Sequence, residues 1–563
     1  MHWLTTVVIL YFAAVVFLGY RGYRTTKTAS DYMLGGRKIH PYVMAMSYGA
    51  TFISTSAIVG FGGAAAVYGM GLLWLTFFNI FLGIFIAFAV FGVRTRQIGL
   101  RLDAHTFPEL LGRRYQSLFL QGAVAVLIFI FMPLYASAVL MGAAKYLGEQ
   151  FGLTYETALF LFSVIIALYV IMGGLKGVMY TDALQATIML AGMVVLLVMT
   201  YGRLGGVTAA HQQLTDLGEL VPASLQTAGH QGWTSMPAFG SSLWWTLMST
   251  IVLGVGIGVL AQPQLAVRYM TVKSRRELNR AIPIGGVFIL MMTGVAFVVG
   301  ALANVHFVQT TGDIALIAAG KDVEKIIPMY IKGAMPEWFG VLFMLTLLAA
   351  AMSTLSSQFH AMGTSLGRDI YEQALGKKGK GAGVNATRIG VLVGILLSVY
   401  LGYWLEVKFG KTGIAIVARG TSLFFGLCAS AFLPMYIGAL WSRGITRAGA
   451  ISGMLTGAFA SAFWMLFVHQ AESKVFLICQ KLFGVSSLGM KLVDSAEVPI
   501  KFGPILWAFV DPVIIGLPLA AIVTLLVSQW TRQFSTEHLD FCFGKGLPSS
   551  ARLNGDQSAQ EAK

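Results

Sequence analysis

The sequence predicts an all-α integral membrane protein of about thirteen transmembrane helices, built around a five-plus-five inverted repeat with broken first helices. Three observations carry that reading. Hydrophobic residues make up 56% of the 563 and charged residues only 11%, too little polar surface for a water-soluble globule. Apolar runs of membrane length recur along the whole chain. Two of those runs are interrupted, at matching positions, by small and polar residues that a lipid-facing helix avoids.

In chain order, the candidate spans lie near residues 4–20, 43–69, 71–92, 118–144, 156–174, 182–201, 243–267, 281–304, 338–366, 389–405, 413–440, 448–468 and 504–528. Residues 4–20 read as a span rather than a cleaved leader. No small-residue cleavage site follows, and the basic group Arg21, Arg24 and Lys27 comes after the apolar run instead of before it. The net charge of +15 comes from short loops between apolar runs, which speaks for a membrane and against nucleic-acid binding. With the N-terminus outside and the C-terminus cytoplasmic, most of the 39 Lys and Arg residues fall in cytoplasmic loops, as expected for a multi-pass protein of the cell membrane. Cys428, Cys479 and Cys542 are far apart and show no metal or redox spacing.

The domain organisation follows from these spans. Residues 1–42 give an extra N-terminal helix and loop, 43–201 a first repeat unit, 202–242 an external loop, and 243–440 a second unit. Residues 441–530 supply accessory helices, and 531–563 a polar tail expected to be disordered. The second span contains Ser47-Tyr48-Gly49-Ala50-Thr51-Phe52-Ile53-Ser54-Thr55-Ser56 and then Gly60, Gly62 and Gly63. The seventh carries Gly254, Gly256, Gly258 and Gln262-Pro263-Gln264. Five spans separate the starts of the two units, an odd number, so the second enters the membrane inverted. In the ninth span, Ala350, Ser353, Thr354 and Ser357 fall within about 100° on one helix face. Such a stripe suits either a packed neighbour or a desolvated cation.

These residues resemble the sodium:solute symporter family, with its sodium/proline, sodium/glucose and sodium/pantothenate members, over roughly residues 1–470. The similarity lies in Ala350 to Leu355, in Asp369-Ile370-Tyr371, in Gly173 to Gln185 with its Thr181-Asp182, and in Gln262 to Tyr269. The resemblance implies a leucine-transporter-like fold and Na+ as the coupling ion. It further implies a principal Na+ site from the carbonyls of Ala50, Ile53 and Ala350 and the hydroxyls of Ser353 and Thr354. Neutral oxygens whose dipoles replace hydration suit such an ion. The competing reading makes Ser353 and Thr354 interhelical glue. A second Na+ site, as in some members, would map to Ser54, Asp182, Ser356 and Ser357. Ala57 departs from that pattern, and Asp182 could instead serve as a structural acid or a proton site. Substrate contacts are expected from Ser56, Ala57, Gly60 and Gln262.

The function expected is therefore Na+-coupled symport of a small organic solute by alternating access. The Gly62 to Gly71 stretch looks like pantothenate and monocarboxylate carriers, making a small acid the leading substrate. The alternatives are an amino acid such as proline, or proton coupling on the same fold. Partners are the solute and the lipid bilayer, with no nucleic acid, and the protein is expected to work as a monomer. No nucleophile or metal cluster suggests an enzyme, and no phosphate-binding loop suggests an ATP-driven pump. Three polar residues stand apart. Arg419 reads as an anion attractor or a Glu-paired snorkelling residue, Lys145 as interfacial, and His360 as a hydrogen-bonded inner-gate residue or a proton carrier.

Overall fold

The computed structural model describes residues 2–25, 29–376, 382–409, 416–494 and 496–544. Among them, ten helical stretches are long and apolar enough to cross a membrane, joined by two shorter apolar helices, Ile9–Gly22 and Tyr155–Ala167. The expected start of the eleventh span, at residue 413, lies outside the described residues.

Two boundaries show how glycine divides continuous helix. Ser56–Arg101 forms one helical stretch, and the division expected near residue 70 is a short 3-10 turn, Gly69–Leu72. Gly69 has φ +68, and a Cβ there would overlap the Trp233 backbone. Tyr155–Arg203 likewise runs on through Gly174 at φ 59, ψ 176, a conformation that turns the chain between the fifth and sixth expected spans.

Burial sorts the helices by role. The apolar windows of Glu337–Ala374 and Val417–Trp441 are 89% buried, against 28% for Arg447–Val468 and Pro512–Trp530, so the first two form the centre and the last two the periphery. Hydroxyls and amides can be desolvated and partnered only in that centre. At the periphery, Gly449, Gly453 and Gly457 bring Arg447–Phe463 close to its neighbours, where side chains would meet Ser528, Thr524 and the Ser430 backbone.

The basic loops gather on one face: Arg96 donates to the Val272 carbonyl at 2.8 Å and Arg447 to the Tyr115 carbonyl at 3.2 Å. Part of the tail joins them. Thr536–Phe543 is a helix, with Asp540 paired to Arg443 at 2.6 Å and His538 Nε2 bonded to the Arg114 carbonyl at 2.9 Å. The expectation of disorder from residue 531 onward therefore fails for these residues, because buried Leu539 and Cys542 and two basic partners anchor them. Residues 545–563 lie outside the described chain. On the opposite face lie two short hairpins, Met490–Val493 with Ala496–Pro499 and Lys501–Phe502 with Ile505–Leu506. Trp464 and Trp245 tie this segment down through the Val510 and Pro504 carbonyls, both at 2.8 Å.

Candidate functional site

Both expected breaks are present. Pro41–Phe52 ends where Ile53 turns extended (φ −91, ψ 104), and the helix resumes at Ser56. Ser54 restarts it: its Oγ accepts the Ser56 N–H at 3.1 Å and its carbonyl the Ala57 N–H at 3.0 Å. The second broken helix, Ser242–Ala261, stops at extended Gln262 and restarts at Pro263, which has no N–H to give.

A helix that stops in apolar surroundings leaves its last carbonyls without partners. The hydroxyl stripe of Glu337–Thr364 fills that need. Ser353 Oγ donates to the Ala50 carbonyl at 2.9 Å, and Thr354 Oγ1 lies 3.2 Å from the Ala50 and 3.1 Å from the Thr51 carbonyl. Ser353 Oγ also reaches the Ala350 carbonyl at 3.2 Å, and all of these residues are fully buried. The structure thus brings Ala50, Ala350, Ser353 and Thr354 together, with Ile53 at the break itself.

The second expected ion set is not gathered in the same way. Ser54 is engaged with the Ser56 N–H, and Ser356 turns back to the Ser353 carbonyl at 3.0 Å. Only Asp182 and Ser357 meet, through Arg268, whose Nη2 lies 3.1 Å from Asp182 Oδ2 and 2.6 Å from Ser357 Oγ, and through Thr51, whose Oγ1 lies 3.5 Å from Asp182 Oδ2 and 2.9 Å from Ser357 Oγ. Arg268 follows the seventh expected span directly, where a loop charge would be exposed, yet it is 1% exposed.

Beside the first break lies a narrow cavity. Ile53, Ser54 and Ala57 form one wall, aromatic rings of Phe52, Phe61, Tyr135, Phe297 and Phe425 the others, and Asn79, Thr293 and Thr421 add polar atoms. Among the described residues, no charged side chain lines it. Asn79 Oδ1 is buried without a hydrogen-bond partner among the described residues. Of the expected substrate residues, Ala57 lines the cavity. Gly60 packs against Val417 instead, and Ser56 Oγ and Gln262 Nε2, one at each break, are buried without hydrogen-bond partners among the described residues. The aromatic rings were missed because, in an apolar span, they read as ordinary lipid-facing or core residues, whereas Asn79 is a polar signal in the 71–92 span that the sequence reading passed over. A second narrow cavity runs from Arg268 and Ser357 past His360 to His105 and Thr106 near the basic face. His360 packs on the Tyr32 ring at 5.4 Å, and its Nε2 has no hydrogen-bond partner among the described residues.

Two further ion clusters lie toward the opposite face. Lys145 is buried rather than interfacial. Its Nζ is 3.4 Å from Asp322, 3.4 Å from Glu324 and 3.1 Å from Glu406. Burial pushes the Glu324 carboxyl up, with the Lys145 ammonium pulling the other way, and Glu324 also accepts the Val417 N–H at 3.1 Å. Arg419 follows the Glu-paired reading: its Nη1 is 3.0 Å from Glu472, whose other oxygen meets His469.

Comparison with known proteins agrees with this layout. The sodium:solute symporter family matches residues 32–457. Sodium/proline symporter 2 of Staphylococcus saprophyticus is 28% identical over 475 residues, covering 83% of this chain and 86% of that protein. A sodium/proline symporter of Staphylococcus aureus is 29% identical over 482 residues, covering 83% and 87%. Among solved structures, a Na+-coupled sialic acid symporter in a substrate-bound outward-open state superposes with a TM-score of 0.70 at 17% identity, covering 94% of this chain and 98% of that one. That likeness establishes the shared fold.

Proposed function

The chain belongs to the sodium:solute symporter family, and on that premise we propose that it carries a small zwitterionic amino acid together with Na+ by alternating access. It is a multi-pass membrane transporter, not an enzyme, and Na+ is its coupling ion. The observation that carries the substrate reading is the cavity at the first break, which offers rings, hydroxyls and one free amide oxygen but no charged side chain. A solute of zero net charge suits that lining, since an unpaired charge desolvated there would go uncompensated. The names of the two staphylococcal relatives point the same way.

In this reading Na+ sits where Ser353 and Thr354 now meet the Ala50 carbonyl. Each hydroxyl turns its lone pair to the ion while the Ala50, Ile53 and Ala350 carbonyls complete the shell. Ile53 belongs to the ion set and also lines the cavity, so ordering the break around the ion shapes the solute site. The basic face is cytoplasmic, so the inward Na+ gradient and the negative interior drive the cycle. Moving one charge through 100 mV supplies about 2.3 kcal/mol. A single chain contains the whole pathway.

A second reading keeps a small monocarboxylate or pantothenate-like acid as the solute. It is favoured by Ile53 at the boundary, because the bound ion itself could neutralise a carboxylate. Uptake into proteoliposomes of the purified protein separates the readings. L-proline should accumulate under a Na+ gradient, and lactate, pyruvate and pantothenate should neither accumulate nor compete. Accumulation of an acid alone would reverse the substrate assignment. Unchanged uptake with choline in place of Na+ would establish proton coupling instead.

A further inference from the structure

Arg268 follows the second break by six residues and would be at home in a cytoplasmic loop, yet it is buried at the meeting point of both broken helices. Its guanidinium donates to oxygens on four elements. Two are on the first broken helix, Ser47 Oγ at 3.0 Å and Thr51 Oγ1 at 2.5 Å. One is Asp182 Oδ2 at 3.1 Å, one is Ser357 Oγ at 2.6 Å on the hydroxyl helix, and one is the carbonyl of Gln264 at 2.5 Å. Ser47 Oγ in turn donates to Asp182 Oδ2 at 2.7 Å.

A carboxylate plus a ring of hydroxyl and carbonyl oxygens is the shell that a second small cation would require. Here the guanidinium takes it. An ionised carboxylate in a dry interior needs a cation beside it, and Arg supplies a rigid, multi-pronged one that does not deprotonate. Arg268 and Asp182 together are neutral. Adding Na+ among the same oxygens would leave one uncompensated positive charge, repelled by the guanidinium at contact distance. The other hydroxyls expected for that ion, Ser54 and Ser356, are committed to backbone groups elsewhere.

We infer that Arg268 is a tethered cation standing in the second ion's position, so that the protein binds one Na+ per cycle. This rests on the proposed Na+ role of Ser353 and Thr354. It deepens that role by fixing the ion count and by giving Asp182 a positioning duty toward Arg268. Asp182 Oδ1 is the remaining carboxylate oxygen without a partner, and it is the atom the test interrogates.

Equilibrium binding of radioactive sodium to the purified full chain counts ions directly. One ion per wild-type chain is expected, kept in Asp182→Asn and lost in the Ser353→Ala, Thr354→Ala double variant. Arg268→Gln, which strips Asp182 of its cation, is expected to bind a second ion. Two ions per wild-type chain would overturn the inference. So would a single ion that is lost in Asp182→Asn and kept in the double variant. A single ion that survives both changes would refute the principal site while upholding the role of Arg268. The wild-type count stands even if Arg268→Gln fails to fold.

Discussion

Replacing Thr354 by Val keeps the shape of the side chain and deletes its hydroxyl, which makes it the sharpest perturbation of the ion site. In the ion-free protein the change removes one donor shared between the Ala50 and Thr51 carbonyls. Ala50 keeps Ser353, whereas Thr51 loses this hydroxyl, so the cost is that of one buried acceptor, about 1–3 kcal/mol. In the proposed ion-bound state the same change would remove one of five oxygens facing a charge. A contact of that kind contributes about 1.5–3 kcal/mol, or roughly 10- to 150-fold in Na+ affinity. The two effects are separable because they are read under different conditions. Melting of the purified protein in choline chloride reports the first, and the shift of the melting midpoint on titration with NaCl at constant ionic strength reports the second. Thr354→Val is expected to melt lower in choline and to need at least tenfold more Na+ for half the shift, while Thr354→Ser restores most of both. A variant that melts lower yet responds to Na+ with an unchanged midpoint would refute the reasoning. Thr354 would then be interhelical glue and nothing more.

Asn79→Leu should abolish solute-induced stabilisation while leaving the protein as stable as before or more so, since it removes a buried oxygen that has no partner; a thermal shift with and without solute checks it. Gly63→Ala places a Cβ against the Val323 carbonyl, and with backbone on both sides the expected cost is about 1–3 kcal/mol, read by denaturant or thermal unfolding together with slower uptake. Glu472 is buried, which raises its pKa, but His469 and Arg419 outweigh that and hold it at about 2 against 4.5. A depressed carboxyl stabilises above its ordinary value and loses that contribution as pH falls from about 4.5 toward 2. Glu472→Gln should therefore lower stability at pH 7 by on the order of 3 kcal/mol and flatten the acid limb of the melting profile.

What the sequence made legible were contrasts against an apolar background. Hydroxyls at Ser353 and Thr354, glycines at 49, 60 and 258, and the Gln262-Pro263 step stand out because lipid gives them no reason to exist, and the structure uses them at the breaks and in close packing. Depth and direction were not legible. Arg268 has the same composition context as Arg275 and Arg276, and only the path of the restarted helix carries it inward rather than into solvent. Lys145 finds its carboxylates 177, 179 and 261 residues away, a pairing that no local pattern encodes. Ser54 and Ser356 have the right chemistry for an ion, yet their oxygens are spent on the backbone. The decision between capping and coordination is made by side-chain rotation that residue type leaves free. Phe52, Phe297 and Phe425 were invisible for the opposite reason: an aromatic ring in a membrane span is the expected residue, whether it faces lipid or a cavity.

The placement of the two cations suggests why both breaks are needed. One break exposes carbonyls that the proposed Na+ would take or leave, because Ser353 and Thr354 satisfy them without it. The other break delivers a cation that cannot leave, joining Ser47, Thr51, Asp182 and Ser357 across both repeat units. Thr51 takes part in both arrangements, its carbonyl facing Thr354 and its hydroxyl facing Arg268. A shift of the first broken helix that opens one arrangement therefore strains the other. That mutual dependence is what a coupled carrier requires: ion occupancy, cavity shape and the join between the two units are set by the same turn of helix, and by linkage each must report on the others.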